Sequence, residues 1–232
     1  MDIKLLSWNI WGGIFLPEVT DFLKSANADI IALQEVEETD EFVNTASILS
    51  ETLDYEFVYA RSMQYSFRGK TSFRGNAILS RLHIAGSRSH ELSHENPRTA
   101  MLADIAVNDT VIHAASVHII HSEVQPSPLQ EEQVKTLLNV IPNEKMIVMG
   151  DFNALPESSA VSLMGHGFRE ADPGMHPTWC LYPEGPETRM PGRVNTKIDY
   201  IFTSPDMKIH DFSVGSSDGS DHLPILACLR VI

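Results

Sequence analysis

Cysteine is nearly absent: Cys180 and Cys228 are the only two in 232 residues. That is too few for a disulfide framework, and neither stands in a CxxC pair or beside enough histidines for a zinc site. Both read as free, buried thiols. No apolar run approaches ~18 residues, and MDIKLLSWNIWGG at the N-terminus lacks a basic segment followed by a long apolar stretch. Neither a membrane span nor a secretory leader is predicted, and a cytoplasmic location is the expectation. No exposed apolar helix pattern points to stable membrane attachment. Basic residues are scarce, with 17 Lys and Arg against 31 Asp and Glu and a formal net charge of −14. Such a surface repels phosphate backbones and argues against nonspecific binding to duplex nucleic acid. Phosphate-ester chemistry stays open where divalent cations neutralise the active centre.

What is present is the composition of a globule. Hydrophobic residues make up 43% and charged residues 21%, which excludes disorder, collagen and coiled coil. One domain over residues 1–232 is expected. Strand-like runs fall at Ile3 to Trp8, Asp29 to Gln34, Tyr55 to Ala60, Asn76 to Ser80, Thr110 to His118, Lys145 to Gly150, Lys197 to Phe202 and Leu223 to Ile232. Amphipathic helical patterns occupy Pro17 to Ala26, Thr39 to Leu53 and Ser127 to Ile141, two of them with Pro in or near the first turn. Helix and strand alternate at the flanks, while Tyr55 to His118 reads as consecutive strands. That distribution predicts two sheets packed face to face with helices outside. Asp172 to Val194, rich in Pro and Gly, reads as a long surface loop.

The strand ends carry the chemistry. Asn9 ends the first strand, Glu35 the second, His118 the Thr110 strand and Asp151 the Lys145 strand, with Asn153 just behind; Asp221 and His222 precede the last strand. Singly, these are a turn residue, a helix-terminal charge, a cap and a core histidine. Together, converging carboxylates are costly unless a cation sits among them.

In order along residues 7 to 225, SWNIWGG, LQEVEE, GNAILS, SVHI, GDFNALPES, KIDYIF and SDHLPI resemble the motif set of the endonuclease/exonuclease/phosphatase superfamily. The resemblance implies an α/β fold, a four-layer α/β/β/α sandwich of two packed mixed sheets with outer helices. It implies a hydrolase that cleaves phosphate esters, most readily phosphodiesters, by in-line attack of an activated water. Asn9, Glu35 and Asp221 offer hard oxygen ligands without thiolate, which favours Mg²⁺, with Mn²⁺ a substitute, over zinc. The family pattern places Asp199 behind His222, where its carboxylate fixes the imidazole tautomer. His118, Asn153 and His222 then contact the equatorial oxygens, and either Asp151 or His222 is the general base.

Other residues have two readings each. Arg68, Lys70 and Arg74, interleaved with Phe67 and Phe73, are a phosphate funnel or a solvated loop. Asn76 in GNAILS is a substrate contact or a turn-to-strand residue. Trp179 in PTWC is a substrate platform or a cover for the sheet edge. Lys197, where many members have Arg, reads as structural. The shared fold does not select a substrate. A small molecule and a nucleic-acid end are both candidates, beside a true endonuclease or exonuclease and a noncatalytic scaffold.

Overall fold

The computed structural model describes residues 2–39, 43–67, 70–122 and 125–231, without the side chains of 65–67, 70 and 231. Among the described residues, twelve strands and four α-helices follow one another as β1 (Asp2–Asn9), α1 (Leu16–Ala26), β2 (Ile30–Glu38), α2 (Thr45–Leu53), β3 (Glu56–Phe67), β4 (Lys70–Ser80), β5 (Ile84–Glu91), β6 (Thr99–Val107), β7 (Thr110–His118), α3 (Pro128–Val140), β8 (Met146–Asp151), α4 (Ser159–Gly165), β9 (Arg169–Glu170), β10 (Asp199–Thr203), β11 (Met207–Val214) and β12 (Ile225–Val231). They form two six-stranded mixed sheets, ordered β11-β12-β1-β2-β4-β3 and β5-β6-β7-β8-β10-β9. Each sheet has one parallel pair joined across a helix: β1 with β2 over α1, and β7 with β8 over α3. None of the described helices is long and apolar enough to cross a membrane.

Strand alternation builds three apolar layers. Ile147 and Met149 of β8 face the space between the sheets with Ile3, Leu5, Ile78 and Ile105. Met146 and Val148, one residue out of phase, face Val134 and Leu137 of α3 and Val161 and Met164 of α4. On the other side, Leu6 and Trp8 of β1 pack on Val19 and Leu23 of α1 and on Ala46 and Leu49 of α2. Helix, sheet, sheet and helix are thus stacked as expected. Burial on both faces explains the continuous buried runs of β1, β2 and β8.

Several expected boundaries are corrected. The second strand does not stop at Gln34 but runs to Glu38. The helix expected from Thr39 starts at Thr45, where Asn44 accepts the Ser47 N–H at 2.9 Å and caps it; residues 40–42 of that expectation lie outside the described residues. The basic segment read as a loop is largely strand, since β4 pairs with β3 in a hairpin down to Phe67 and Lys70. Arg68 lies outside the described residues. β9, β11 and α4 had no counterpart in the sequence reading, while β5 and β6 fall within the expected run of consecutive strands without having been singled out. The 172–194 segment lacks regular strands or helices but is not merely superficial, because Asp172, Thr178 and Tyr182 are buried. Cys180 and Cys228 are free but only half-buried.

One glycine carries the parallel pairing beneath the site. Gly150 has φ 155°, and a Cβ there would lie 1.9 Å from the Val117 carbonyl oxygen on β7. Gly150→Ala should therefore destabilise the protein by on the order of 3 kcal/mol, since the ladder must shift to admit a methyl. The urea midpoint at unchanged slope reads this; a midpoint equal to wild type would contradict it.

Candidate active site

The sheets deliver their polar groups by register. In one, His118 of β7 and Asp199 of β10 stand directly beside Asp151 of β8. In the other, Asn9 pairs with Gln34, and Glu35 follows at a break in the β2 ladder between Leu33 and Val36. Glu35 has φ 53° and Asn153 φ 48°, left-handed values that turn each side chain out of its strand path. Buried Gln34 donates to Ser116 Oγ at 3.1 Å and so ties the two sheets together beneath the site.

Asp151 is the focus. It is 1% exposed, its Oδ1 accepts the Asn153 N–H at 2.8 Å and its Oδ2 accepts from Asn9 Nδ2 at 3.1 Å. His118 Nε2 lies 3.5 Å and His222 Nε2 3.7 Å from the same Oδ2. Behind His222, Nδ1 meets Asp199 Oδ2 at 3.0 Å, and that oxygen also accepts from Thr178 Oγ1 at 2.6 Å. Thr178, Asp199, His222 and Asp151 therefore form one buried chain. Burial disfavours charge on His222, but the carboxylates of Asp199, Asp221 and Asp151 outweigh it and push the imidazole up. Burial raises the Asp151 carboxyl, against the charge of His222 and the hydrogen bonds from Asn153 and Asn9. Burial, then the charge of Arg98, holds His118 well below the ordinary histidine value.

A cleft of about 320 Å³ opens over these groups, lined among others by Glu35, Arg98, His121, Trp179 and Asp221. Asn9 Oδ1 accepts the Trp11 N–H at 3.1 Å, while its Nδ2 reaches Glu35 Oε1 at 3.4 Å and Asp151. Asn9 thus links the two carboxylates. Arg74 Nη1 donates to Glu35 Oε2, so this arginine meets the candidate ligand rather than standing free for substrate. Asp221 accepts from Trp179 Nε1 at 3.1 Å and from Ser220 Oγ at 3.3 Å. Trp179 lines the cleft and donates its Nε1–H to Asp221.

Asn76 lies inside β4, fully buried, and donates to the Thr99 carbonyl; it is not among the described residues that line the cleft. Lys197 is structural as expected, with Nζ 2.9 Å from both Asp172 and Glu170.

The donor set suits a hard cation. Glu35, Asp221 and Asp151 supply carboxylate oxygens without thiolate around a water-accessible cleft, with the Asn9 amide nitrogen turned to Glu35 and Asp151. Ligand atoms of Asp151, Asp199 and His222 also lie within 4.8 Å of one another. There, however, Nδ1 of His222 already bonds Asp199, which marks that trio as a proton chain.

Four residues escaped the sequence reading. Arg98 precedes β6, an unrecognised strand. His121 presents Nδ1 to Asn153 Oδ1 at 2.9 Å; its signal was the spacing of two histidines in SVHIIHSE. Thr178 stands next to Trp179 in PTWC. Met63 follows a ladder shift between Arg61 and Met63 that turns it toward the cleft.

Comparison with known proteins agrees with this fold. YbhP of Escherichia coli K12, an uncharacterized protein, is 28% identical over 176 residues, covering 65% of this chain and 66% of its own length. The chain thus matches about two thirds of that relative. An endonuclease/exonuclease/phosphatase structure from Beutenbergia cavernae superposes with TM-score 0.80 at 18% identity, over 99% of this chain and 72% of that one. The human Nocturnin catalytic domain with bound sulfate gives 0.75 at 18%, over 100% and 94%. Truncated Caenorhabditis elegans TDP2 gives 0.70 at 19%, over 99% and 97%. These identities establish a shared fold. The sequence profile of the Endonuclease/Exonuclease/phosphatase family matches residues 6–222, nearly the whole chain, and the chain belongs to that family.

Proposed function

We propose that the chain is a cytoplasmic, Mg²⁺-dependent phosphodiesterase whose substrate is a small molecule or a nucleic-acid end. The observation that carries this reading is the Asp151 carboxylate, ringed by nitrogens of Asn9, His118 and His222 within 3.7 Å at the floor of an open cleft. Such a ring can hold a phosphoryl group and an attacking water together, which is most of what phosphoryl transfer asks of a protein. Water attacks phosphorus in line, a P–O bond forms, and the P–O bond to the leaving alkoxide breaks. The Asp151 and His222 pair takes the proton of the water. Asn153, His118 and Arg98 stabilise charge on the equatorial oxygens. Asp199 and Thr178 position His222. Glu35, with Asn9 and Asp221 beside it, would hold Mg²⁺, which supplies charge neutralisation at the phosphate.

A broad nuclease is disfavoured, because two basic residues of β3 and β4 face acidic partners. Arg61 is bidentate to Glu38 at 2.6 and 2.7 Å, and Arg74 meets Glu35. The test is turnover of bis(p-nitrophenyl) phosphate beside nicking of supercoiled plasmid, by wild type and Asp151→Asn in Mg²⁺. We expect wild type to cut the diester, Asp151→Asn to lose at least about 10²-fold, and plasmid to be a poor substrate. No diester turnover by wild type, or equal turnover by the variant, would overturn the reading.

A further inference from the structure

A second cavity of about 480 Å³ adjoins the catalytic cleft and shares Met63, Arg98 and His121 with it. Its size is that of a small-ligand pocket. It is a built feature. The ladder shift after Arg61 sets Met63 inward, and Ser62 Oγ accepts the Thr99 N–H at 3.0 Å, joining β3 to the start of β6 beside Arg98.

Arg98 stands at the junction of the two cavities. It is 7% exposed, its Nε has no hydrogen-bond partner among the described residues, and its Nη1 meets only the Met63 sulfur, at 3.1 Å. A thioether is a weak acceptor, so a buried guanidinium is left with capacity for an anion. A phosphate in the cleft would supply it, and the ester arm would then continue past Arg98.

The remaining walls define the arm. Met63, Pro97 and Ile120 are apolar, and Gln64 and Asn96 add neutral amides that both donate and accept. Among the described residues that line it, none carries a carboxylate or a Phe, Tyr or Trp ring, the groups that hold a quaternary ammonium. Arg98 is the one permanent cation among them, too little charge for a polyphosphate. We propose that this cavity seats one organic arm of the phosphodiester, and that the arm is neutral, planar, of nucleobase size and with hydrogen-bonding edges. The inference rests on the hydrolase reading above.

Three diesters with one leaving group separate the two ideas: thymidine 5′-(p-nitrophenyl phosphate), methyl p-nitrophenyl phosphate and p-nitrophenyl phosphocholine. Wild-type kcat/KM should be about tenfold or more higher for the thymidine ester than for the methyl ester, with the choline ester no better than methyl. Gln64→Trp and Ile120→Trp, each checked for native circular dichroism, should fill the cavity and remove most of that preference through KM. Hydrolysis without a thymidine preference, or with a choline preference, overturns the inference while the hydrolase reading stands. A wild-type preference that survives both substitutions overturns the assignment to this cavity. Failure to hydrolyse any of the three overturns the hydrolase reading and this inference with it.

Discussion

His222→Ala is expected to lower kcat for bis(p-nitrophenyl) phosphate by about 10³- to 10⁴-fold, with KM nearly unchanged and the fold retained. The expectation follows from where the imidazole stands. Its Nδ1 is held by Asp199 at 3.0 Å and its Nε2 faces Asp151 at 3.7 Å, so removing the ring severs the proton chain at its centre. Thr178→Val and Asp199→Asn act through the same ring and should not add to it. In the His222→Ala background each should cost little, whereas in wild type Thr178→Val should cost about tenfold. Full additivity, or a loss below tenfold for His222→Ala, would mean that His222 merely fills space.

Glu35→Gln should raise the Mg²⁺ concentration for half-maximal activity by about 10- to 100-fold. The side chain is kept at φ 53° with Asn9 on one oxygen and Arg74 on the other. The amide preserves size and removes the charge that a hard cation needs. Calorimetric titration with Mn²⁺, independent of turnover, should show the same weakening. Unchanged metal affinity in Glu35→Gln would place the cation elsewhere in the cleft.

The sequence made most of the site legible because its residues end apolar strands, where a short motif marks a position in space. Asn9, His118, Asp151, Asp199 and His222 all sit at strand ends or beside them, and register brings three of them abreast. The layered fold was legible for the same reason, through the doubly buried runs of β1, β2 and β8. Strands such as β5 were not, since none of its eight residues is buried and its sequence IAGSRSHE shows no apolar face. With the bounds of β5 and β6 not singled out, nothing in the sequence placed Arg98, which stands just before β6. Glu35 was read as a strand end, whereas a ladder break inside a longer strand turns it outward. Such breaks depend on pairing across 40 residues of chain, beyond the reach of local pattern. Arg74 was misplaced because a strand facing carboxylates and a solvated loop have the same composition.

The most direct test of the central claim is hydrolysis of bis(p-nitrophenyl) phosphate in ¹⁸O-water with Mg²⁺, with a parallel reaction in chelator, followed by mass spectrometry of both products. Attack of water at phosphorus under the Asp151 and His222 pair predicts one ¹⁸O in the p-nitrophenyl phosphate, none in the p-nitrophenol, and no turnover in chelator. Label in the phenol, or turnover undiminished by chelator, would contradict it.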